Sequence, residues 1–323
     1  MIRPKILLTH RWPEPCETRL REEFDVSLNL DNHPLAPEEL RNALREYDAV
    51  LPTVTDALGA DTLDAEPLRC KILGNFGVGF NHIDLQAAKA RGITVTNTPD
   101  VLTDCTADLA MLLLLMAARR ASEGERLLRA GQWTGWHPTQ LLGVKVSGKT
   151  LGLIGFGRIA RAMAARAHFG FGMSILFHTP RPPTEEIIRH YRAKSVDTIE
   201  EVLREADFVS LHCPGSRENR HLIDAERLAL MKPSAILVNT ARGDVVDGRA
   251  LIAALKNHRI AAAGLDVYEG EPDLHPGFLE LDNVALLPHL GSATVETRVA
   301  MGMRVIDNVR AFFRGETPPD KLA

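Results

Sequence analysis

Along the chain, short aliphatic or β-branched runs alternate with longer stretches whose apolar residues recur at helical spacing, the pattern of an α/β protein with parallel sheets. The first series of predicted strands is Lys5–Thr9, Asp25–Leu30, Ala49–Val54, Lys71–Asn75 and Thr94–Asn97. A second series is Thr150–Ile154, Met173–His178, Phe208–His212, Ala235–Asn239, Ala262–Leu265 and Val284–Leu287. Between them Pro99 disfavours helix at the residue before it, and a long apolar helix is expected from about Thr103 to Arg120. A last helix is expected from about Ala293 to Phe313, with Val299, Met303, Ile306, Val309 and Phe313 along one face. Two sheets follow, and 323 residues are enough for two domains.

Composition narrows the classes without changing this picture. Charged residues make up 25% and hydrophobic ones 45%, which argues against a disordered or fibrous chain. With 38 basic against 42 acidic residues and no dense Lys/Arg run, a nucleic-acid partner is not expected. The longest apolar run, Leu109 to Ala118, has ten residues, about half of the ~20 a bilayer span needs. Met1-Ile2-Arg3-Pro4 leads directly into the first strand without the pattern of a secretory leader, so no membrane contact and a cytoplasmic location are expected. Cys16, Cys70, Cys105 and Cys213 lie far apart, which suggests neither a metal site nor a disulfide framework; all four are expected to be buried small apolar residues.

The first chemistry-bearing motif is Gly155-Phe156-Gly157-Arg158-Ile159-Ala160, lying between the strand Thr150–Ile154 and the helical stretch Arg161–Phe169. This is G-x-G-x-x-A in the strand–turn–helix setting of a dinucleotide site. Gly155 permits the tight turn, and Gly157 lets backbone N–H groups approach a pyrophosphate at a helix N-terminus. In an NAD site the next strand ends in an acid that binds the ribose 2′-hydroxyl. Here it ends His178-Thr179-Pro180-Arg181, and no acid appears before Glu185. A guanidinium at Arg181 suits a 2′-phosphate, so NADPH/NADP+ is expected over NADH, which stays as the alternative; the other reading of Arg181 is a solvated turn residue.

Three further segments follow the carboxyl ends of predicted strands, where open α/β sheets bind ligands. They are Asn239-Thr240-Ala241-Arg242-Gly243, Leu265-Asp266-Val267-Tyr268-Glu269-Gly270-Glu271-Pro272 and Leu287-Pro288-His289-Leu290-Gly291-Ser292-Ala293. Together with the Gly155 turn and Asn75-Phe76-Gly77-Val78-Gly79-Phe80-Asn81-His82-Ile83-Asp84, they make the chain resemble the D-isomer-specific 2-hydroxyacid dehydrogenase family over essentially its whole length. Within the family it is most similar to the glyoxylate/hydroxypyruvate reductases.

The resemblance implies two doubly wound parallel-sheet domains: a flavodoxin-like substrate domain from residues 1–99 plus 291–323, and a Rossmann cofactor domain from residues 100–290. It implies reduction of a short 2-keto acid to the 2-hydroxy acid. Arg242, Glu271 and His289 become the expected catalytic residues. Arg242 has the fork to hold carboxylate and keto oxygen, His289 is placed as proton donor, and Glu271 would hydrogen-bond and orient the imidazole. Val78 and Gly79 would donate to the substrate carboxylate in the manner of a backbone nest, with Val54, Arg242 and His289 also at the substrate. Asp266 would accept from the nicotinamide carboxamide. Thr106, Gly155, Phe156, Gly157, Arg158, Ile159, His178, Thr179, Arg181, Cys213, Thr240, Ala241, His289 and Ser292 complete the expected cofactor set, and no metal is expected.

Two of the three tryptophans stand in Gln132-Trp133-Thr134-Gly135-Trp136-His137-Pro138. In the family this region forms an arm that embraces a second subunit, so Trp133 and Trp136 are read as anchors of a homodimer formed through the cofactor domain, with packing inside one chain as the alternative. Two other functions stay open at this point: an NAD(H)-dependent dehydrogenase of another 2-hydroxy acid, and a non-catalytic, corepressor-like protein that senses dinucleotide.

Overall fold

The computed structural model describes residues 3–323, and the chain divides into two compact units, Met1–Leu102 with Ser292–Ala323, and Thr103–Gly291.

The first unit holds β1 (Lys5–Leu8), β2 (Asp25–Leu28), β3 (Ala49–Leu51), β4 (Ile72–Gly74) and β5 (Thr94–Thr96). They form one sheet in the order β2-β1-β3-β4-β5, with every adjacent pair parallel. This is the flavodoxin-like doubly wound order, whose switch point lies between β1 and β3. Several strands are shorter than the apolar pattern predicts, for identifiable reasons. β2 stops at Leu28, after which Asn29 turns its side-chain amide to the carbonyls of Thr9 (2.9 Å) and His33 (2.7 Å). β3 stops at Leu51 because Pro52 has no N–H and the backbone amide of Thr53 goes to Asp56 Oδ2 at 2.7 Å.

The helix Val295–Phe313 packs on this sheet through Val305, Ile306 and Val309, against Ile6, Leu8 and Ile72. It begins two residues later than expected because Thr294 is the N-cap, accepting from the amide of Thr297 at 3.2 Å. After the helix, the chain runs antiparallel beside β5: Leu322 N donates to Val95 O at 2.7 Å and Val95 N to Ala323 O at 3.1 Å. Asp320 anchors this segment, accepting from Arg304 at 2.7 and 2.8 Å and from Asn308 Nδ2 at 2.9 Å.

The second unit holds β6 (Thr150–Ile154), β7 (Ser174–His178), β8 (Ala193–Ser195), β9 (Phe208–Leu211), β10 (Ile236–Asn239), β11 (Ala262–Leu265) and β12 (Val284–Leu286). The order is β12-β11-β10-β9-β6-β7-β8, again all parallel, which is the Rossmann arrangement with one strand added at an edge. The switch point is between β6 and β9. The apolar pattern does not predict β8; Ala-Lys-Ser is short and partly exposed and carries no β-branched residue. β9, β10 and β11 are buried throughout, as strands covered on both faces must be.

The helix Thr103–Ala118 lies against β10 and β11 and comes closest at Gly264, where a Cβ would stand 2.9 Å from Leu113. It ends at Ala118, short of the expected Arg120, which sits at φ 53° and turns the chain. None of the four cysteines forms a disulfide; Cys16 and Cys70 are buried as expected, while Cys105 and Cys213 are only half-buried. Among the described residues no helix is long and apolar enough to cross a membrane.

Candidate active site

In the second unit, the turn after β6 is shaped by backbone approach. Gly155 adopts φ 88°, and a Cβ there would stand 2.8 Å from the His212 carbonyl and 3.0 Å from Cys213 N, so neither conformation nor space admits a side chain. Gly157 caps the helix Arg158–Ala165, and a Cβ on it would meet nothing within 4 Å. The first glycine closes the turn, and the second leaves the helix N-terminus open to an anion. The ring of Phe156 is buried and stacked on Phe177 at 3.9 Å, so it is the backbone of this residue that is available to a ligand. Thr240, at the end of β10, keeps a buried hydroxyl without a hydrogen-bond partner among the described residues. An open helix N-terminus after β6 and a buried polar group after β10, both at carboxyl ends of strands in the same parallel sheet, fit a dinucleotide.

The loops after β10, β11 and β12 carry the titratable groups. His289 Nδ1 lies 2.7 Å from Glu271 Oε2, and Glu271 Oε1 accepts the backbone N–H of Tyr268, also at 2.7 Å. Burial pushes the Glu271 carboxyl up, but the hydrogen bond and charge of His289, the Tyr268 amide and Arg242 outweigh it, holding the group below the usual carboxylate range. An ionised carboxylate can only accept, so His289 Nδ1 carries the hydrogen and Nε2 is the position for a transferable proton.

Backbone contacts hold His289 in place. The residue sits at φ 54°, a left-handed conformation that costs on the order of 1 kcal/mol in a non-glycine residue. Its amide donates to Asp266 O at 2.9 Å, and the next two amides, Leu290 and Gly291, donate to the Asp266 carboxylate at 2.6 and 2.8 Å. Asp266 is 1% exposed, and burial pushes its carboxyl up to about 6 against the pull of His289 and the two amides. Both of its oxygens therefore already serve the His289 turn. Arg242 is half-buried; burial draws its guanidinium down from its ordinary value while the charges of Glu271 and Asp244 oppose that. Its Nη1 donates to Ala241 O at 2.6 Å, and Asn239 Nδ2 donates to the Arg242 carbonyl at 2.9 Å. The loop after Arg242 presses on the loop that carries Glu271: a Cβ on Gly243 would fall 1.8 Å from the carbonyl carbon of Tyr268.

In the first unit, the loop after β4 is shaped by Asn75, which is fully buried. Its Nδ2 donates to the carbonyls of Gly77 (3.0 Å) and Gly79 (2.9 Å), and its Oδ1 meets His82 Nε2 at 3.0 Å. Asn97 Nδ2 holds the Val78 carbonyl at 2.9 Å. With the carbonyls turned inward, the amides of Val78 and Gly79 have no acceptor among the described residues, the arrangement of an anion nest. Val54 lies beside the nest, 3.4 Å from where a Cβ of Gly77 would stand.

The other expected cofactor residues are spread over both units. Thr106 is buried, and its hydroxyl donates to Gly291 O at 3.0 Å. His178 and Thr179 are half-buried at the end of β7, with His178 Nδ1 3.2 Å from Val196 O, and Arg181 is exposed beyond them. Arg158 is exposed, whereas Ile159, Ala241 and Cys213 are half-buried; burial pushes the Cys213 thiol up to about 11. Ser292 falls in the first unit. The sequence motifs assign no role to Tyr268, Asn239 or Asn75. Their importance lies in contacts with backbone that no local pattern shows.

The family model for the NAD binding domain of D-isomer specific 2-hydroxyacid dehydrogenases matches residues 111–291. The chain is 45% identical over 322 residues to a glyoxylate reductase of Thermococcus onnurineus, covering 98% of this chain and 95% of that protein. It is 39% identical over 315 residues to a glycerate dehydrogenase of Hyphomicrobium methylovorum, covering 98% of each. Among solved structures, an NADPH-dependent glyoxylate/hydroxypyruvate reductase from Sinorhizobium meliloti, in complex with NADP and malonate, is similar with a TM-score of 0.87 and 36% identity, over 99% of this chain and 97% of that one.

Proposed function

The chain belongs to the D-isomer-specific 2-hydroxyacid dehydrogenase family, and from that premise we propose that it reduces glyoxylate and hydroxypyruvate to glycolate and D-glycerate with NADPH. The observation that carries the reading is the His289–Glu271 pair, which leaves the imidazole Nε2 as proton donor. The names of the relatives support the substrate class. The exposed Arg181 beyond β7, with no acid at that strand end, supports NADPH over NADH.

In this reading His289 gives its proton to the carbonyl oxygen as the alkoxide forms, and Glu271 stabilises and orients the imidazolium before the transfer. Arg242 stays charged, pairs with the substrate carboxylate and polarises the carbonyl. The Val78 and Gly79 amides hold the carboxylate, with Val54 beside them. The Gly155–Gly157 turn would hold the pyrophosphate, Thr240 and Asp266 the nicotinamide end, and Thr179 and Arg181 the adenosine end. When bound, the cofactor supplies the hydride. Residues 1–99 with 291–323 serve as the substrate domain and residues 100–290 as the cofactor domain.

We further propose a homodimer built on the second unit, because Leu128, Trp133, Trp136 and Leu142 expose 60%, 53%, 78% and 65% of their surfaces within one short stretch of chain. Sedimentation at micromolar concentration tests it, and a stable monomer rejects it.

The enzymatic reading is tested by following nicotinamide absorbance with NADPH and a panel of small 2-keto acids. Turnover is expected with glyoxylate and hydroxypyruvate. Tight NADPH binding with no turnover across the panel would replace this reading with a dinucleotide sensor.

A further inference from the structure

Glu271 and His289 are 18 residues apart, on the loops after β11 and β12, and their hydrogen bond exists only if those two loops keep a fixed separation. Tyr268 touches both. Its backbone N–H donates to Glu271 Oε1 at 2.7 Å, which sets the rotation of the carboxylate and leaves Oε2 for the imidazole. Its hydroxyl stands 2.8 Å from Leu287 O and 3.1 Å from Leu265 O. A phenol has one hydrogen to give, and the two acceptors are not equivalent. Leu265 O already receives the amide of Leu287 at 2.9 Å, as an extension of the β11–β12 pairing. The shorter contact, to Leu287 O, is therefore the stronger of the two. Leu287 is followed by Pro288, which has no N–H, and then by His289. Fixing the Leu287 carbonyl fixes the Leu287–Pro288 peptide plane, and the proline ring fixes φ at Pro288, so a single backbone torsion, ψ of Pro288, separates that plane from the peptide of His289.

The ring that carries this hydroxyl is itself held. It is half-buried, packs on the core of the second unit, and meets Phe278 edge-on with centroids 6.3 Å apart. Burial and the neighbouring carboxylates of Asp266 and Glu271 push the phenol well above its ordinary value, so it remains a donor at any pH the enzyme meets.

We infer that Tyr268 is a positioning residue for the reaction: through its amide it orients Glu271, through its hydroxyl it sets the Leu287–Pro288 peptide one residue before His289, and so it holds the two partners at hydrogen-bonding distance. The inference deepens the reading of His289 as proton donor and rests on it. A phenylalanine at this position keeps the ring and the amide and removes only the hydroxyl with its contacts to Leu287 O and Leu265 O, so a loss caused by Tyr268→Phe belongs to the hydroxyl.

The test compares Tyr268→Phe with His289→Asn, both as purified full-length protein with NADPH and glyoxylate, and records for the wild type and Tyr268→Phe the downfield proton resonance of the His289 Nδ1–H···Glu271 bond. For Tyr268→Phe, kcat is expected to fall about tenfold with KM for glyoxylate within about twofold, since a lost buried hydrogen bond acts here on geometry and not on substrate binding. The downfield resonance is expected to shift or broaden. A hydroxyl that served stability alone would lower the melting temperature and leave both the resonance and kcat unchanged, and that result overturns the proposal. If Tyr268→Phe matches the wild type while His289→Asn is inactive, the positioning role falls and the catalytic reading stands. If His289→Asn turns over normally, the catalytic reading falls, and the resonance still decides whether Tyr268 holds the pair.

Discussion

Glu271 stands between two donors, the imidazole of His289 on Oε2 and the amide of Tyr268 on Oε1, each at 2.7 Å. The carboxylate is thus fixed in rotation as well as in charge.

Glu271→Gln separates those two properties. The change is isosteric, removes the charge and leaves the loop its hydrogen-bonding capacity. We expect kcat with NADPH and glyoxylate to fall about 10²-fold with KM changed little, and His289→Asn to fall further, within the ~10²–10⁴ range of a lost general acid. Steady-state kinetics on both variants checks this, and a Glu271→Gln enzyme with wild-type kcat removes the orienting role.

Arg181→Ser should change the cofactor and little else. Losing a charge-assisted contact to a 2′-phosphate is expected to lower kcat/KM for NADPH about tenfold or more, with NADH efficiency unchanged. Measuring both cofactors at saturating glyoxylate decides it. An unaltered NADPH-to-NADH ratio would show that Arg181 is a solvated turn residue.

Two glycines make opposite predictions. Gly157→Ala has open space for its Cβ and should leave the melting temperature nearly unchanged while weakening NADPH binding, because the methyl group stands where the anion approaches. Gly243→Ala places a Cβ 1.8 Å from the backbone of Tyr268, which cannot yield as a side-chain tip can. It should cost about 3 kcal/mol or more and reduce kcat together with stability. Thermal melts and fluorescence titration with NADPH separate the two outcomes.

The Asp320 carboxyl gives a pH-dependent stability. Burial raises it, but Arg304 and Asn308 hold it below the usual carboxylate range. A group depressed in the folded state contributes stability above its unfolded value and loses that contribution as pH falls through its folded value. Asp320→Asn should therefore melt lower than the wild type at pH 7, by about 1–3 kcal/mol in stability. The difference should shrink as pH falls below ~4. Paired melts across that range check the sign, and a gap that widens toward acid contradicts it.

Much of the molecule can be read from residue order because its signals are local. The Gly155 turn, the strand ends carrying Arg242 and His289, and the helical face of Ile306 and Val309 all follow from short spacings. What escapes such a reading depends on contacts between distant segments. The hydroxyl of Tyr268 finds a carbonyl 19 residues away, and Asp266 reaches amides 24 and 25 residues on. Neither follows from periodicity. Phe156 illustrates the converse: the motif fixes its backbone as part of the turn, while its ring is claimed by Phe177 from the neighbouring strand. β8 is hidden for a related reason, since its pairing with β7, and not its composition, makes it a strand.

Beside β5, the Leu322–Ala323 segment bears on behaviour in concentrated solution. A bare strand edge offers unpaired amides and carbonyls to any other extended chain, and is a starting point for aggregation. Here Leu322 and Ala323 occupy the groups of Val95 that would otherwise template a foreign strand. The Asp320–Arg304 contact thus guards colloidal behaviour as well as local folding. Loosening it should be visible by light scattering as self-association in protein that still turns over substrate.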